Sequence, residues 1–319
     1  MPSEFALIHA LRAIATDPAA RALADDAAVL AIGGETLVLT LDTVVEGVHY
    51  LPGDPAADVA WKLVAVNVSD LSAKGAVPLG CLYSHALGED EWDRAFLQGL
   101  DEACRHFAMP LLGGDTVRMP EGAPRSFSLT ALGTGPKDCA VPCRTAARPG
   151  DQVWVSGTIG DAGLGLAAAR DALDGEPEHL AALLARYRRP MPQPRLGVSL
   201  APLVHAMMDI SDGLLVDAAR IAEASGVTIR VDAGAVPLSP ALRAVAGDAI
   251  ETRIAAMTAG DDYELLFTAP AGNSARILAV ADALGCSVTA IGEVSAGGGL
   301  TLLHQGKPLP LPGRLGYQH

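Results

Sequence analysis

The sequence predicts a mixed α/β (α+β) protein with two domains. Short apolar runs bounded by Gly, Pro and Asp alternate with longer stretches of helical periodicity, and both patterns occur in both halves of the chain. The length of 319 residues exceeds that of one typical domain. A Pro/Gly-rich, charged segment over 135–151 marks a boundary, which divides the chain into domains over 1–137 and 138–319.

The first half is expected to hold strands around a central helix. Two strands flank the turn at Gly33-Gly34, and the helices follow from apolar residues at spacings of three and four. The predicted strands cover 28–32, 36–41, 80–85, a short run ending at Gly113-Gly114-Asp115, and 126–133, and the predicted helices cover 58–74 and 91–107.

The helix over 58–74 carries an unusual polar stripe. Asn67, Asp70 and Lys74 are spaced i, i+3 and i+7, so they share one face. A polar stripe is usually solvated, but Val66 and Leu71 bracket this one. The pattern therefore indicates a partly enclosed face that bears a carboxylate.

The second half repeats the mixture of strands and helices. Its strongest helical pattern begins after Gly213. The predicted strands cover 152–155, 228–231, 264–268 and 287–291, and the predicted helices cover 162–173, 178–187, 196–206, 214–224 and 274–284.

Composition limits the classes of partner. The formal net charge is -14 and the pI is about 4.9, which argues against a nucleic-acid partner or an anionic membrane surface. An acidic protein can still bind an anionic nucleotide when metal ions bridge the two. No signal peptide is visible, and no apolar run reaches the roughly 18 residues of a membrane helix, so we expect a cytoplasmic protein. The five dispersed cysteines are expected to be reduced thiols.

Aspartates recur at the ends of apolar runs. The most informative segment is Met208-Asp209-Ile210-Ser211-Asp212-Gly213-Leu214, which places two carboxylates and a hydroxyl between a strand-like run and a helix. Similar positions are Asp25-Asp26, Asp42, Asp70, Gly113-Gly114-Asp115 and Gly260-Asp261-Asp262. Each alone could be a cap or a turn residue. Together they indicate hard cations with oxygen ligands, chiefly Mg²⁺.

Common nucleotide-binding motifs are missing from the sequence. There is no P-loop, and Gly133-Thr134-Gly135 fails the dinucleotide fingerprint because the required third glycine is absent. Gly157-x-x-Gly160 before a helix could cradle a phosphate or could be a tight turn. His49 is not at metal-ligand spacing, but it lies close to Asp42 on a Gly-containing loop and is a candidate substrate contact.

In this order the motifs resemble those of the thiamine-monophosphate kinase family, within the aminoimidazole-ribonucleotide synthetase-like superfamily. The matching stretches span nearly the whole chain: Asp25–Val29, Leu41–His49, Trp61-Lys62 with Val66–Leu71, Gly113–Thr116, Val155–Asp161, Asp209–Leu214, Gly260–Leu265 and Ile291–Glu293. Four positions depart from the family pattern. Ala24 stands where Gly is usual, Lys74 where Met is frequent, Leu41 where Thr is frequent, and Asp261 where Glu is frequent, so that only the carboxylate is kept.

The resemblance implies an activity and a set of roles. It implies transfer of the ATP γ-phosphoryl to thiamine monophosphate, with several Mg²⁺ ions, in a homodimer formed through the N-terminal sheet. The implied metal ligands are Asp26, Thr40, Leu41, Asp42, Asp70, Asp115, Asp209 and Asp212. The implied ATP contacts are Gly114, Asp115, Arg144 and Ser211, and the implied thiamine contacts are His49, Asp261 and Tyr317. No dedicated catalytic side chain is expected, because the reaction needs metal-assisted positioning.

Two alternatives stay open. One is a sibling activity: aminoimidazole-ribonucleotide synthesis, selenophosphate synthesis or hydrogenase maturation. No cysteine precedes Cys81, and the chain ends Gly316-Tyr317-Gln318-His319, which disfavours the last two. The other is a catalytically silent nucleotide-binding protein, which retention of the acidic positions disfavours.

Overall fold

Two β-sheets organise the molecule. The computed structural model describes residues 4–317, and the side chains from residue 6 onward. The first sheet has the strand order β1-β2-β5-β3-β4. Its strands are β1 (Ala28–Ile32), β2 (Glu35–Val45), β3 (Val77–Leu87), β4 (Leu111–Arg118) and β5 (Ser126–Thr134), and the helices of this half are α1 (Glu4–Leu11), α2 (Ala56–Ala73) and α3 (Asp90–His106).

Helices α2 and α3 cover one face of the first sheet. Leu63 of α2 and Phe96 of α3 pack in one core with Phe127 and Leu129 of β5. Because side chains alternate along a strand, the other residues of β5 point to the opposite face. That opposite face carries no helix within the described residues, and Leu82 is 47% exposed on it.

The second sheet has seven strands in the order β12-β11-β8-β10-β6-β9-β7. Its strands are β6 (Asp151–Ser156), β7 (Ala206–Asp209), β8 (Val227–Asp232), β9 (Leu265–Pro270), β10 (Val288–Ala296), β11 (Gly299–His304) and β12 (Lys307–Leu309). The helices of this half are α4 (Asp161–Ala169), α5 (Pro177–Arg188), α6 (Pro194–Leu200), α7 (Leu214–Ser225), α8 (Pro240–Ala246), α9 (Ile250–Met257) and α10 (Ser274–Ala283).

Helix α2 lies between the two halves and is buried on nearly all sides. Ala73 packs in the core of the second half with Leu196 and Leu200 of α6. A Cβ on Gly197 would lie 2.0 Å from the Ser72 carbonyl oxygen, so the two helices meet backbone to backbone. A helix enclosed by two domains can hold its polar stripe only where other polar groups meet it.

The structure confirms most of the predicted elements and corrects some ends. The predicted helix over 196–206 was wrong in its second half: α6 ends at Leu200, and Ala206 already begins β7. Strand β4 continues past Asp115 to Arg118. Helices α1, α8 and α9 and strands β11 and β12 were not predicted.

Three further expectations can be compared with the structure. The polar stripe of α2 is enclosed, since Asn67 and Lys74 are both fully buried. All five cysteines are free thiols. Between residues 4 and 317, no helix combines the length and hydropathy needed to cross a bilayer.

Candidate active site

Three carboxylates from distant parts of the chain meet beside α2. Asp26 precedes β1, Asp70 belongs to α2, and Asp209 ends β7. Ligand oxygens of these three residues all lie within 4.8 Å of one another. We call Asp26, Asp70 and Asp209 the acidic centre.

Hydroxyl groups orient these carboxylates. The Thr40 hydroxyl of β2 donates to a carboxylate oxygen of Asp70 and is 3.2 Å from the Asp26 carbonyl oxygen. The Ser69 hydroxyl donates to Asp209 Oδ2 at 2.7 Å. Thr40, from the first sheet, and Ser69, from α2, therefore orient two of the three carboxylates.

Two more aspartates border the acidic centre. Asp42 lies two residues after Thr40, and its backbone N–H donates to Asn67 Oδ1 at 3.1 Å, which ties β2 to the polar stripe of α2. Asp212 lies in the loop before α7, where Arg220 Nη1 is 2.6 Å from its Oδ2.

The acidic centre concentrates negative charge in a buried place. Burial, together with Asp26 and Asp212, raises the pKa of Asp42 to about 6. Burial and Asp26 raise the pKa of Asp209 to about 8, although the Ser69 hydroxyl opposes this shift. The pKa of Asp70 lies well above its usual value because of burial and the neighbouring carboxylates. Such mutual repulsion is what a bound divalent cation relieves.

Asp26 differs from its neighbours because cations already surround it. Burial alone would raise its pKa, but Lys74 and Arg144 outweigh burial and hold it at about 2. Arg144 donates to Asp26 Oδ1, and Lys74 Nζ lies 2.6 Å from Oδ2. Arg144 therefore lies next to the acidic centre, where its Nε has no hydrogen-bond partner.

The predicted thiamine contacts converge beyond the loop that holds Ser211. The backbone N–H of Asp261 donates to the Ser211 carbonyl oxygen at 2.8 Å. Lys62 Nζ lies 2.5 Å from Asp261 Oδ2 and 3.0 Å from the His49 carbonyl oxygen. One buried ammonium therefore links Asp261, from the second half, to the loop of His49, from the first.

Tyr317 lies against the same loop. Its backbone N–H donates to the Asp212 carbonyl oxygen at 2.8 Å. A Cβ on Gly316 would lie 2.4 Å from that oxygen, so this close approach requires glycine. Tyr317 and Gly316 line an open cleft of about 200 Å³ with Arg314, Thr258 and Ala259.

Gly114 and Asp115 lie away from the acidic centre of their own chain. In register across the sheet, Asp115 pairs with Ser84, Ser84 with Ser128, and Ser128 with Thr43. Three strand spacings separate β4 from β2, or about 14 Å. Asp115 also shares the open face with Thr43 rather than the helix-covered face of Asp42. Leu41, whose side chain is 61% exposed, lies on that open face too.

The loop at Gly157-x-x-Gly160 is a tight turn in which the N–H groups of both glycines are already engaged. The N–H of Gly160 donates to both carboxylate oxygens of Asp262, at 2.9 and 3.0 Å. The N–H of Gly157 donates to the Ser287 carbonyl oxygen at 3.0 Å. Of the two interpretations of this motif, the structure favours the turn over the phosphate cradle.

Comparison with known proteins gives the family. The AIR synthase related protein N-terminal domain matches residues 24–135, and its C-terminal domain matches residues 148–305. A thiamine-monophosphate kinase of Caulobacter vibrioides is 39% identical over 290 residues, which cover 89% of this chain and 80% of the relative. The chain belongs to the thiamine-monophosphate kinase family. Its relative in Salmonella typhimurium is 38% identical and is covered to 86%.

Solved structures of the thiamine-monophosphate kinase family share the fold over nearly the whole chain. The structure described as AaThiL complexed with AMPPCP and TMP superposes with a TM-score of 0.83 at 30% identity, covering 99% of this chain and 97% of that one. The enzyme from Stenotrophomonas maltophilia gives 0.78 at 36% identity, covering 96% and 98%. A HypE–HypF complex reaches 0.76 at 21% identity, a likeness that concerns the fold alone.

Sequence reasoning about the thiamine-monophosphate kinase family missed Lys62 as a site residue. The pair Trp61-Lys62 belongs to the stretches that match the family. A lysine in an apolar helix is nevertheless expected to pack its stem on the core and to keep its ammonium group in water. The structure instead buries it to 2% exposure beside Asp261, with its ammonium 4.3 Å from the centre of the Tyr187 ring. Only the pairing across the two halves identifies it.

Proposed function

We propose that this chain transfers the γ-phosphoryl group of ATP to thiamine monophosphate, giving thiamine diphosphate and ADP. The observation that carries the proposal is the acidic centre, assembled from both halves of a thiamine-monophosphate kinase family chain. The complex of AaThiL with AMPPCP and TMP supports it, because a related fold holds an ATP analogue together with TMP.

We further propose that the acidic centre holds Mg²⁺. Its three carboxylates lie close enough to share a cation, and their burial and mutual repulsion raise the pKa of Asp70 and of Asp209, a penalty that a cation would relieve. Asp42 and Asp212 stand beside them, and Thr40 and the backbone of Leu41 offer further oxygens. When bound, Mg²⁺ supplies charge neutralisation for the phosphates.

The acceptor needs no general base. A phosphate monoester has a second pKa of about 6, so it is largely dianionic at neutral pH. The obstacle is to bring two polyanions together in line, which positioning and charge neutralisation achieve. No residue is therefore proposed as a general base, and the acceptor oxygen attacks the γ-phosphoryl group directly.

Each end of the site is proposed to bind one substrate. Arg144, which contacts Asp26, and Ser211, two residues after Asp209, are proposed to contact ATP. His49, Asp261 and Tyr317 are proposed to contact thiamine monophosphate, where a carboxylate offsets the thiazolium charge and an aromatic ring stacks. Lys62 is proposed to hold Asp261 and the His49 loop in register.

Gly114 and Asp115 belong to this site only if a second copy supplies them. In one chain, Asp115 lies on the opposite face of the sheet from Asp42. We therefore propose a homodimer through the open face, in which Asp115 of one copy reaches the acidic centre of the other.

The test is ADP release with Mg²⁺ and ATP, measured separately with thiamine monophosphate, thiamine and aminoimidazole precursors. We expect turnover with thiamine monophosphate alone, and thiamine diphosphate in equal amount to ADP. Turnover with an aminoimidazole precursor, or nucleotide binding without turnover on any acceptor, would contradict the proposal.

A further inference from the structure

A fully buried ammonium group borders the acidic centre. Lys74 directly follows α2, one turn after Asp70, and its side chain is 0% exposed. Its Nζ contacts Asp25, lies 2.6 Å from Asp26 Oδ2, and lies 3.4 Å from the carbonyl oxygen of Met207. Lys74 thus places one positive charge next to all three elements that carry the acidic centre.

The partners of Lys74 are as buried as Lys74 itself. The side chains of Asp25 and Asp26 are 4% and 1% exposed. A buried carboxylate without a counter-charge is strongly unfavourable, so an ammonium here stabilises the folded chain before any metal binds. The contact with Asp26 Oδ2 is a close ion pair, so the charge of this carboxylate is already partly compensated without metal.

We propose that Lys74 is a permanent internal cation of the acidic centre, which together with Arg21 and Arg144 compensates the charges of Asp25 and Asp26 without metal and weakens divalent-cation binding there. This inference rests on the magnesium part of the proposed function. A positive charge beside a metal ligand repels the arriving ion, and in a buried place that repulsion is poorly screened. The acidic centre therefore binds metal less tightly than its carboxylates alone would.

The test replaces Lys74 and measures Mn²⁺ binding without nucleotide or thiamine monophosphate, by the electron paramagnetic resonance signal of free Mn²⁺. Lys74→Met removes the charge and keeps an unbranched side chain of similar length. We expect its Mn²⁺ dissociation constant to fall about tenfold or more. In EDTA this variant should melt below the wild type, and Mn²⁺ should restore more of its Tm than it adds to the wild type.

Lys62→Met is the matched control. Lys62 is also a buried lysine of α2 paired with an aspartate, but it lies twelve residues earlier, a rise of about 18 Å along the helix. It should lose stability similarly, with Mn²⁺ affinity changed by less than about twofold. Lys74→Gln, which can still donate to Asp25, covers the case in which Lys74→Met does not fold.

The outcomes distinguish the proposed metal site from the proposed role of Lys74. Tighter Mn²⁺ binding in the Lys74 variants, but not in Lys62→Met, supports the internal cation. Unchanged or weaker binding in the Lys74 variants overturns it and leaves the metal site intact. No Mn²⁺ binding in any of these proteins, the wild type included, contradicts the metal site and this inference with it.

Discussion

At the scale of single residues, position decides what each aspartate does. Asp26 and Asp209 lie within the same 4.8 Å cluster, yet the pKa of Asp26 is held at about 2 and that of Asp209 is raised to about 8. The difference comes from Lys74 and Arg144, which contact Asp26 but not Asp209. Asp26 therefore carries its charge at neutral pH without metal, whereas ionisation of Asp209 is favoured when a further cation arrives.

Asp70→Asn tests the charge at the acidic centre. The amide keeps the shape of the side chain and can still accept from Thr40, but it cannot neutralise a cation. We expect kcat to fall about 100-fold or more, by analogy with loss of one electrostatic stabiliser. Circular dichroism should show a folded protein. Asp58→Asn, on the same helix but paired with Arg189, is the control and should keep nearly full activity; near-native activity of Asp70→Asn at low Mg²⁺ would exclude the role.

The pH dependence of stability without metal follows from the raised pKa values. Asp42, Asp209 and Asp217 have pKa values of about 6, 8 and 7 when folded, against 3.8 for an ordinary aspartate. Between these values the folded chain binds more protons than the unfolded chain, so stability falls as pH rises from about 4 to 8. Asp26 has the opposite sign, but its change lies below pH 4.

The measurement is Tm against pH in EDTA and in Mg²⁺. In EDTA we expect Tm to decline from pH 5 to pH 8. Mg²⁺ should flatten the decline because it stabilises the ionised carboxylates. A Tm in EDTA that rises steadily over this range would show that these carboxylates do not control stability.

At the scale of elements, the spacing of apolar residues predicted α2 but not the segments that pack against it. Apolar spacing and the enclosed polar stripe predicted a helix with Asp70 on an inner face, and both features were confirmed. The helix predicted over 196–206 was wrong in its second half. Leu200, Leu203 and Ala206 are apolar at a spacing of three, as in a helix, although the chain passes there through a turn into a buried strand. A short strand buried on both faces has no alternation to distinguish it.

The meeting of Asp70 with Asp209 lay beyond any local pattern. These residues are far apart in sequence, and only the docking of β7 against α2 brings them together. The resemblance named both as metal ligands, and the structure places them within one cluster. Lys62 shows the limit, since nothing in its own helix reveals that it meets Asp261.

The C-terminal segment over 310–317 forms neither helix nor strand, and Pro310 and Pro312 disfavour a helix there. If Tyr317 stacks on thiamine, Tyr317→Ala should weaken thiamine monophosphate binding by about 5- to 150-fold, because stacking on a base is worth roughly 1–3 kcal/mol. Tyr317→Phe keeps the ring and should bind nearly as the wild type does. Calorimetry measures both, with ATP affinity as the control; unchanged affinity in Tyr317→Ala would make the segment a bystander.

At the scale of the whole molecule, the open face of the first sheet carries many exposed apolar side chains. Exposed apolar side chains on or beside this sheet are Leu41, Val77, Leu79, Leu82, Leu111, Leu112 and Val117, each more than 40% exposed. Contiguous apolar patches of this kind mark interfaces between proteins. The proposed homodimer would cover this apolar patch. It would also bring Asp115 of one copy to the acidic centre of the other.

Mixing two inactive variants tests whether Asp115 acts across that dimer. Asp115→Asn lacks the donated carboxylate, and Asp70→Asn lacks the acidic centre that receives it. After unfolding and joint refolding in equal amounts, half of the dimers are mixed, and each mixed dimer has one site with both groups intact. We expect roughly a quarter of wild-type activity from two nearly inactive proteins.

Adding Leu82→Glu to both variants should abolish the recovery, because the charge on the open face separates the copies, as light scattering would show. Activity that stays at the level of the separate variants, in a mixture shown to contain mixed dimers, would mean that Asp115 serves its own chain or no site at all.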